Sequence, residues 1–577
     1  MCGIWFYLNR SQSVLTLEIL KEYIASFNKI KNRGPDFSIT KQIISNNSIQ
    51  AIAGFHRLAI MDLSTNGNQP FVFESEEDEI IVICNGEIYN HLELIKEHEL
   101  VPSSHSDCEV IMLMYNKYRN IEKIVNSLNG EFAFVIYHRE LKTNKINLFA
   151  ATDPISVRPL FIGYKKSQDS QQNQQNGKES DLFFSSEMKG LECCDSVERF
   201  KPGHIYTLSF QNESTNYVSK YYPYYLFNYN NDTKIDTDRS TIHKEIVNRL
   251  SNSVKKRIQS DRPLGCLLSG GLDSSLVACL LAKHMKTIDE TKLVNFFSIG
   301  NANAPDVVNA ITVFNHIKEN INSNIKHHIF DISFEEALSV IPDVIKTIET
   351  YDITTIRAST WQYLLAKKIS ETTDIKVILN GDGADEIEMG YQYFKNAPSP
   401  EEAQKESEKL VRDIHLYDCL RVDRAISHHG LEARVPFLDI EFFDYYMRIP
   451  AELKVPVNGM EKYLIRKAFE IEMPELLCKD VLWRPKEAFS DGISDHKKSW
   501  FQIIQERVEE EISDEEYLCS KDKFTHLSPV SKESYYFRKI FESNYKNRET
   551  VIKYYWLPNW CGDIKEPSAR VLKVYQK

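Results

Sequence analysis

No CxxC pair occurs among the eleven cysteines, and the two adjacent ones, Cys193 and Cys194, suit neither a zinc site nor an ordinary disulfide. An odd number of thiols without ligand or disulfide spacing excludes a disulfide scaffold and fits a reducing, cytoplasmic compartment. No apolar run approaches the ~18 residues that a bilayer span requires. The opening MCGIWFYLNR lacks the basic and apolar stretches of a secretory signal, and the closing KVYQK carries no lipidation address. The sequons at Asn212 and Asn231 are therefore expected to stay unmodified. A basic surplus is missing too: 70 Lys and Arg stand against 82 Asp and Glu, a net charge of −12, which argues against binding nucleic acid by bulk phosphate neutralisation. The partners expected are small molecules, with no nucleic acid and no membrane; a homodimer is left open.

What remains is ordinary globular material in quantity. The chain has 577 residues, 42% hydrophobic and 26% charged, enough for more than one core. Residues 2–207 hold short β-like runs (IIVICNGEIYN leading to an Asn-Gly turn, AFVIYH, INLFAATD, DLFFSSE), which read as a layered antiparallel β domain with a few helices. Within it, 168–177 (QDSQQNQQNG) is low in complexity and reads as a lengthened hairpin loop. Residues 208–236 mix Tyr with Asn and Ser without helical period and read as a linker. From 237 to 577, amphipathic helices alternate with the short strands GCLL, LVNFFSIG and IKVIL, so the expected fold is α/β around a parallel sheet.

Cys2 stands out in the first part. With Met1 removed, its thiol shares a residue with the free α-amine, which titrates near ~8 and can take the thiol proton directly or through water. The run GIWFYL that follows makes a buried strand of what would otherwise be a frayed end. KNRGPDF, GFHRLAIMDLS and NGEIYNH come next, and together these motifs resemble the class II glutamine amidotransferase domain, an N-terminal-nucleophile hydrolase fold. The resemblance implies that Cys2 attacks glutamine and that Arg57 pairs with the glutamine α-carboxylate. It makes Leu58, Ala59, Ile60 and Met61 a pocket wall, and Asn85 with the Gly86 N–H an oxyanion hole. Glu87 and Asp107 would hold the substrate ammonium. ATDPISVRPL departs from the family's RDxxGxRPL, with Thr152 and Ser156 where Arg and Gly are usual.

In the second part, Ser269-Gly270-Gly271-Leu272-Asp273-Ser274-Ser275 follows GCLL and opens a helix. Small residues let backbone N–H groups approach a phosphate, and the helix N-terminus adds partial positive charge. No Gly-Lys-Ser/Thr follows, so this is not a Walker loop. SGGLDSS resembles the pyrophosphate-binding loop of ATP pyrophosphatases. An acid inside such a loop implies a bridging Mg²⁺; Asp273 is one expected ligand and Asp385 in NGDGADE the other. Asn380 and Gly381 are placed with the loop on ATP, and Leu267 and Ile299, each ending a strand, on either side of the adenine.

YDITTIRAST (351–360), HHGLEARVPFLD (428–439), GMEKYLIRKAFE (459–470) and WRPKEAFSDG (483–492) complete a pattern similar to the glutamine-hydrolysing asparagine synthetase family over nearly the whole chain. That resemblance implies that Thr354, Thr355 and Arg357 line the aspartate and nucleotide pocket and that Lys462 neutralises the adenylate and pyrophosphate. VPFLD is expected in the core, and WRPKEAFSDG is expected to order a loop. The family commonly has Ser-Gly-Glu where this chain has Asn380-Gly381-Asp382; Asp382 keeps the carboxylate, one methylene shorter. The implied reaction converts aspartate and ATP to asparagine with ammonia from glutamine. Two alternatives stay open: a related amidotransferase acting on another carboxylate, and a degenerate, non-enzymatic relative.

Overall fold

Period-two alternation in GIWFYL sends Ile4, Phe6 and Leu8 to one face of a strand and Trp5 and Tyr7 to the other, and all five are buried. A strand buried on both faces needs a layer on each side. The computed structural model supplies them, and describes residues 1–577 apart from 12–13, 46–47, 167–179, 212–216, 228, 230–234, 236, 302–303, 487–498, 563 and 569–577. The expected loop at 168–177 and the two sequon asparagines fall outside the described residues. The chain divides into two compact units, Met1–Leu226 with Ser427–Leu431, and Phe227–Ile426 with Glu432–Lys577.

The first unit contains β1 (Gly3–Leu8), β2 (Phe37–Ser45), β3 (Ser48–Arg57), β4 (Phe71–Glu74), β5 (Asp78–Ile88), β6 (Gly130–Glu140), β7 (Lys145–Thr152), β8 (Phe161–Lys165), β9 (Asp181–Ser185), β10 (Ser196–Arg199), β11 (His204–Gln211) and β12 (Tyr217–Pro223). They form two antiparallel sheets, ordered β10-β8-β9-β1-β3-β2 and β12-β11-β7-β6-β5-β4. Ile4, Phe6 and Leu8 meet Ile83, Val135 and Leu148 between the sheets. Outside the first sheet, Trp5 and Tyr7 pack on Phe27 and Tyr23 of the helix Leu17–Asn28. Outside the second, Val82 and Phe134 pack on Met114 and Ile124 from the helices Glu109–Tyr118 and Ile121–Ser127. The order of layers is helix, sheet, sheet, helix.

Two expectations are corrected here. Residues 208–211 and 217–223 are strand, not linker: β11 pairs with β7 and β12 with β11, and the alternating Tyr206, Leu208 and Phe210 that extend the core explain why. Asn85-Gly86 is not a turn but lies inside β5, opposite Ala133 and Phe132 of β6. Glycine is needed there because a Cβ would fall on the Glu131 carbonyl.

In the second unit, β13 (Leu264–Leu267), β14 (Val294–Ile299), β15 (Ile325–Phe330), β16 (Val377–Leu379) and β17 (Glu432–Arg434) form a parallel sheet ordered β15-β14-β13-β16-β17. The chain builds outward from β13 through β14 to β15, then returns to the other side of β13 with β16. Between β13 and β16 the connections part, which opens a crevice at the carboxyl ends of both strands, the usual ligand position in such sheets.

The departure at Ser156 has a conformational reading. Its φ is +60°, a left-handed backbone where glycine pays no Cβ penalty. The turn is held by Asp153, whose carboxylate accepts the backbone N–H groups of Ile155, Val157 and Arg158 at 3.0, 3.0 and 3.1 Å. Burial pushes the Asp153 carboxyl up to about 6 even so. Ser156→Gly should therefore stabilise the protein by roughly 0.5–1 kcal/mol, less whatever the more flexible unfolded chain takes back. A higher midpoint in chemical denaturation, with unchanged cooperativity, is the expected measurement.

Candidate active site

In the first unit, Cys2 directly precedes β1, and its thiol donates to the Leu58 carbonyl at 3.7 Å. Its own carbonyl accepts from Arg33 Nε at 2.9 Å, and Arg33 Nη1 is paired with Glu187 at 2.8 Å, both side chains buried. Arg33, from KNRGPDF, thus fixes the backbone of the nucleophile. Leu58, Ala59 and Ile60 are buried beyond the end of β3, Met61 is partly exposed, and the Ala59 N–H donates to Asp36 at 2.8 Å. Asn85 is fully buried, and neither its amide oxygen nor its amide nitrogen has a hydrogen-bond partner. A carboxamide left unpartnered at that depth costs stability unless a ligand uses it. Gly86 and Glu87 follow on the same strand, and Asp107 accepts the Ile88 N–H at 2.6 Å.

Arg57 is placed differently from the bidentate carboxylate partner expected. Its Nη1 donates to the Ser64 carbonyl and the Asn68 side chain, each at 2.7 Å, and its Nη2 to the Met61 (3.2 Å) and Asp62 carbonyls. In this structure the guanidinium orders loop 61–68, and pairing with a ligand carboxylate would require exchanging those bonds.

The second unit holds a cavity of about 260 Å³ at the carboxyl ends of β13, β14 and β16. Leu267, Ser269, Gly271, Asp273 and Ser274 line it from β13 and its loop, and Ile299 from the end of β14. Asn380, Gly381, Asp382 and Asp385 line it from the loop after β16, joined by Thr354, Thr355 and Lys462. Gly270 stands behind: its φ is +76°, a Cβ there would lie 2.5 Å from the Ala310 nitrogen, and its carbonyl accepts from Arg484 at 3.2 Å. Gly381 lets the two loops touch, since a Cβ would lie 2.8 Å from the Ser274 nitrogen.

Charge in the cavity is paired across elements. Lys462 Nζ is 2.7 Å from Asp273 Oδ2 and 2.7 Å from Asp385 Oδ1, and Lys486 also binds Asp385. Burial by itself would raise the Asp385 carboxyl, but the two ammonium groups hold it well below the usual range. Asp382 is the opposite case: burial raises it against the pull of Arg421, whose Nη2 bridges Asp382 and Asp418 at 2.5 Å each. Asp273 and Asp385 each set an oxygen 2.7 Å from the Lys462 ammonium, and both are hard carboxylate donors of the kind Mg²⁺ takes when phosphates and water complete its shell, so their chemistry fits the expected ion. Among the described residues, no three His, Cys, Asp or Glu side chains gather into a metal cage.

Arg357 is a correction. The cavity stripe of the helix Ile353–Thr372 runs through Thr354, Thr355, Ala358, Gln362 and Leu365, and at ~100° per residue Arg357 points roughly 110° away from its centre. Its guanidinium is spent on Glu533 and Glu566, each at 2.5 Å. Sequence reasoning also missed Arg421, Asp418 and Trp556, which all line the cavity. Of WRPKEAFSDG, expected to order a loop, Arg484 and Lys486 reach the cavity and residues 487–492 lie outside the described residues. VPFLD is buried as expected.

Comparison with known proteins follows the two units. A glutamine amidotransferase domain model matches residues 1–216, which sets the class: a two-domain chain headed by an amidotransferase fold. An asparagine synthase model matches residues 245–411 and 398–561. Asparagine synthetase (glutamine-hydrolyzing) of Gallus gallus is 40% identical over 599 residues, covering 100% of this chain and 99% of the relative. The Bos taurus and Homo sapiens proteins of that name are 39% and 38% identical over 594 residues with the same coverage. The chain belongs to the asparagine synthase family. Nothing in these matches favours either alternative, and among the described residues no helix is long and apolar enough to cross a membrane.

His56, one residue before Arg57, carries a pH dependence. Its ring stacks on Phe27 at 3.9 Å, and burial lowers its pKa from 6.5 to about 4. The unfolded chain therefore takes up the proton first as pH falls, and stability present above pH 6.5 is lost progressively down to about 4. Between pH 7 and pH 5 this costs roughly 1–2 kcal/mol. In His56→Phe the difference in denaturation midpoint between those two pH values should shrink accordingly.

Proposed function

We propose that the chain is a cytoplasmic, glutamine-dependent ATP ligase that converts aspartate to asparagine. The observation that carries the reading is a single cavity gathering the SGGLDSS loop, the NGDGADE loop and Lys462, in a chain alike over its full length to proteins named for that reaction. On this reading the Cys2 thiolate attacks the glutamine amide carbon, and the unpartnered Asn85 amide with the Gly86 N–H takes the charge that develops on oxygen. Ammonia leaves, and water hydrolyses the thioester to glutamate. Glu87 and Asp107 face the substrate ammonium, and Arg57 orders loop 61–68, which continues the wall from Leu58 to Met61.

In the second unit an aspartate β-carboxylate oxygen displaces pyrophosphate from the α-phosphorus of ATP, and ammonia then displaces AMP from the acyl carbon. Ser269, Gly271 and Ser274 cradle the phosphates at the N-terminus of the helix Leu272–Ile288, with Gly270 backing the loop. Leu267 and Ile299 flank the adenine, Asn380 and Gly381 close the nucleotide side, and Thr354 and Thr355 face the acid. Lys462 neutralises the leaving phosphates, and Asp382 accepts the proton that the attacking ammonia sheds. Asp273 and Asp385 would hold Mg²⁺, which supplies charge neutralisation for the pyrophosphate.

Two sites doing separate chemistry predict separable losses. Cys2→Ala should abolish glutaminase and glutamine-dependent synthesis yet still make asparagine from aspartate, ATP and ammonium, at a rate rising with pH below ~9 as neutral ammonia becomes available. Asp273→Asn or Asp385→Asn should do the reverse, sparing glutaminase. Retained glutamine-dependent synthesis in the cysteine variant, or near-normal synthesis in either aspartate variant, would sink the assignment.

Asp382 tests the chemistry itself. Asp382→Ala should leave ATP binding nearly intact and lower asparagine formation by roughly 10²-fold or more, with Asp382→Glu retaining substantial activity. Pyrophosphate release followed with aspartate and ammonium measures both. An unimpaired alanine variant would move the base elsewhere, with Glu386 the next carboxylate on that wall.

A further inference from the structure

Trp556 lines the second cavity but belongs to a stretch, 549–562, far along the chain from the loops that build it. Its backbone N–H donates to Asp352 Oδ1 at 2.8 Å across 204 residues of sequence. The other oxygen of that buried carboxylate caps the helix Ile353–Thr372, accepting the Thr355 N–H at 2.9 Å and the Thr355 hydroxyl at 2.7 Å. One carboxylate therefore ties the indole to the helix that presents Thr354 and Thr355. Further anchors hold the stretch: Tyr351 donates to the Glu549 carbonyl at 3.0 Å, Tyr417 to the Tyr554 carbonyl at 2.9 Å, and the Tyr554 hydroxyl to Asp413 at 2.6 Å. Glu566, ten residues on, clasps Arg357.

The indole stands at the charged end of the cavity. Its ring lies 5.3 Å from that of Tyr391, whose hydroxyl donates to Glu386 at 2.5 Å. Asp382, Asp418 and the bridging Arg421 line the same cavity, whereas the other wall, Leu267, Phe297 and Ile299, is apolar and comes from β13 and β14. A rigid bicyclic side chain held at its own backbone is a fixed stop. It excludes volume without having to reorganise, so it discriminates by length.

We propose that Trp556 is a specificity-determining residue of the ligase reaction, the wall that limits the amino-acid substrate to a short side-chain acid. The assignment rests on the reading of this cavity as the site that activates aspartate. One methylene rejected by a rigid pocket is worth on the order of 10- to 200-fold in kcat/KM. Arg357 then has a place as well: by pairing with Glu566 it holds the chain just past the stretch that carries the stop, as a positioning residue.

The test is pyrophosphate release at saturating ATP and ammonium, with aspartate or glutamate as the acid, for the full-length protein and for Trp556→Ala, Trp556→Phe and Glu566→Gln. The expected result for Trp556→Ala is a rise in aspartate KM of roughly 10-fold and a fall of at least ~10-fold in the aspartate-to-glutamate ratio of kcat/KM. ATP KM and Cys2 glutaminase should stay within about two-fold, and the phenylalanine and Glu566→Gln variants should move the ratio less, in the same direction. An unchanged ratio in Trp556→Ala, or in Trp556→Phe and Glu566→Gln should the alanine variant not fold, overturns the assignment. A loss confined to kcat also overturns it. Absence of aspartate-dependent pyrophosphate release from the unaltered protein overturns the reading of the cavity, and the assignment with it.

Discussion

Asp273 and Asp385 end up beside each other because one buried ammonium, Lys462, is shared between them. Each acid belongs to a different strand end, and the lysine to a third element, the N-cap of the helix Tyr463–Glu472. Burial would strip Lys462 of its charge, yet the surrounding carboxylates hold its pKa above the usual range. Removing one member of such a cluster leaves an uncompensated charge in the interior, a loss of order 3–5 kcal/mol. The lysine needs room as well: Gly390 has no Cβ where one would collide with the Lys462 stem. The loop after β13, the loop after β16 and the lysine are therefore one electrostatic unit.

The two units solve the problem of holding reactive groups in different ways. In the first, the groups sit on or directly beside regular strands, where hydrogen-bond ladders fix the backbone to a fraction of an ångström. Asn85 owes its unpartnered amide to that rigidity, because the strand cannot bend to find it a partner. In the second, the groups sit on loops beyond strand ends, and side chains from distant segments supply the rigidity. The Arg421 bridge and the Asp352 carboxylate do there what strand pairing does for Asn85.

How legible these features were in sequence follows from the range of the interactions behind them. Period-two strands such as GIWFYL, and the small-residue loop after GCLL, declare themselves locally, so the β layers of the first unit and the strand–loop–helix turn of the second could be read directly. NGDGADE was readable as a cavity loop because small residues and acids follow a short buried strand there. The in-strand Asn85-Gly86 was not, since the dipeptide has turn chemistry and only its pairing with β6 overrides it. Residues 217–223 carry the polar, exposed positions of an edge strand and look like linker until β11 is known to lie alongside. Arg357 sits in a motif whose neighbours line the cavity, and its acids lie 176 and 209 residues away, beyond any local pattern.

The shorter acid at position 382 makes sense against the same background. Its N–H donates to the Asn380 side chain at 3.1 Å, a local turn that fixes where the arm begins. Its carboxylate is then drawn to Arg421 together with Asp418. A guanidinium that must satisfy two carboxylates cannot follow one of them toward substrate, so it sets the direction of Asp382 and the backbone sets its origin. With both fixed, the length of the side chain alone decides how far the carboxylate extends into the cavity. Burial raises its proton affinity, while the shared arginine pulls the other way. The cost of losing a methylene is then one of reach alone, since the turn and the arginine hold the carboxylate's direction whether the side chain is aspartate or glutamate.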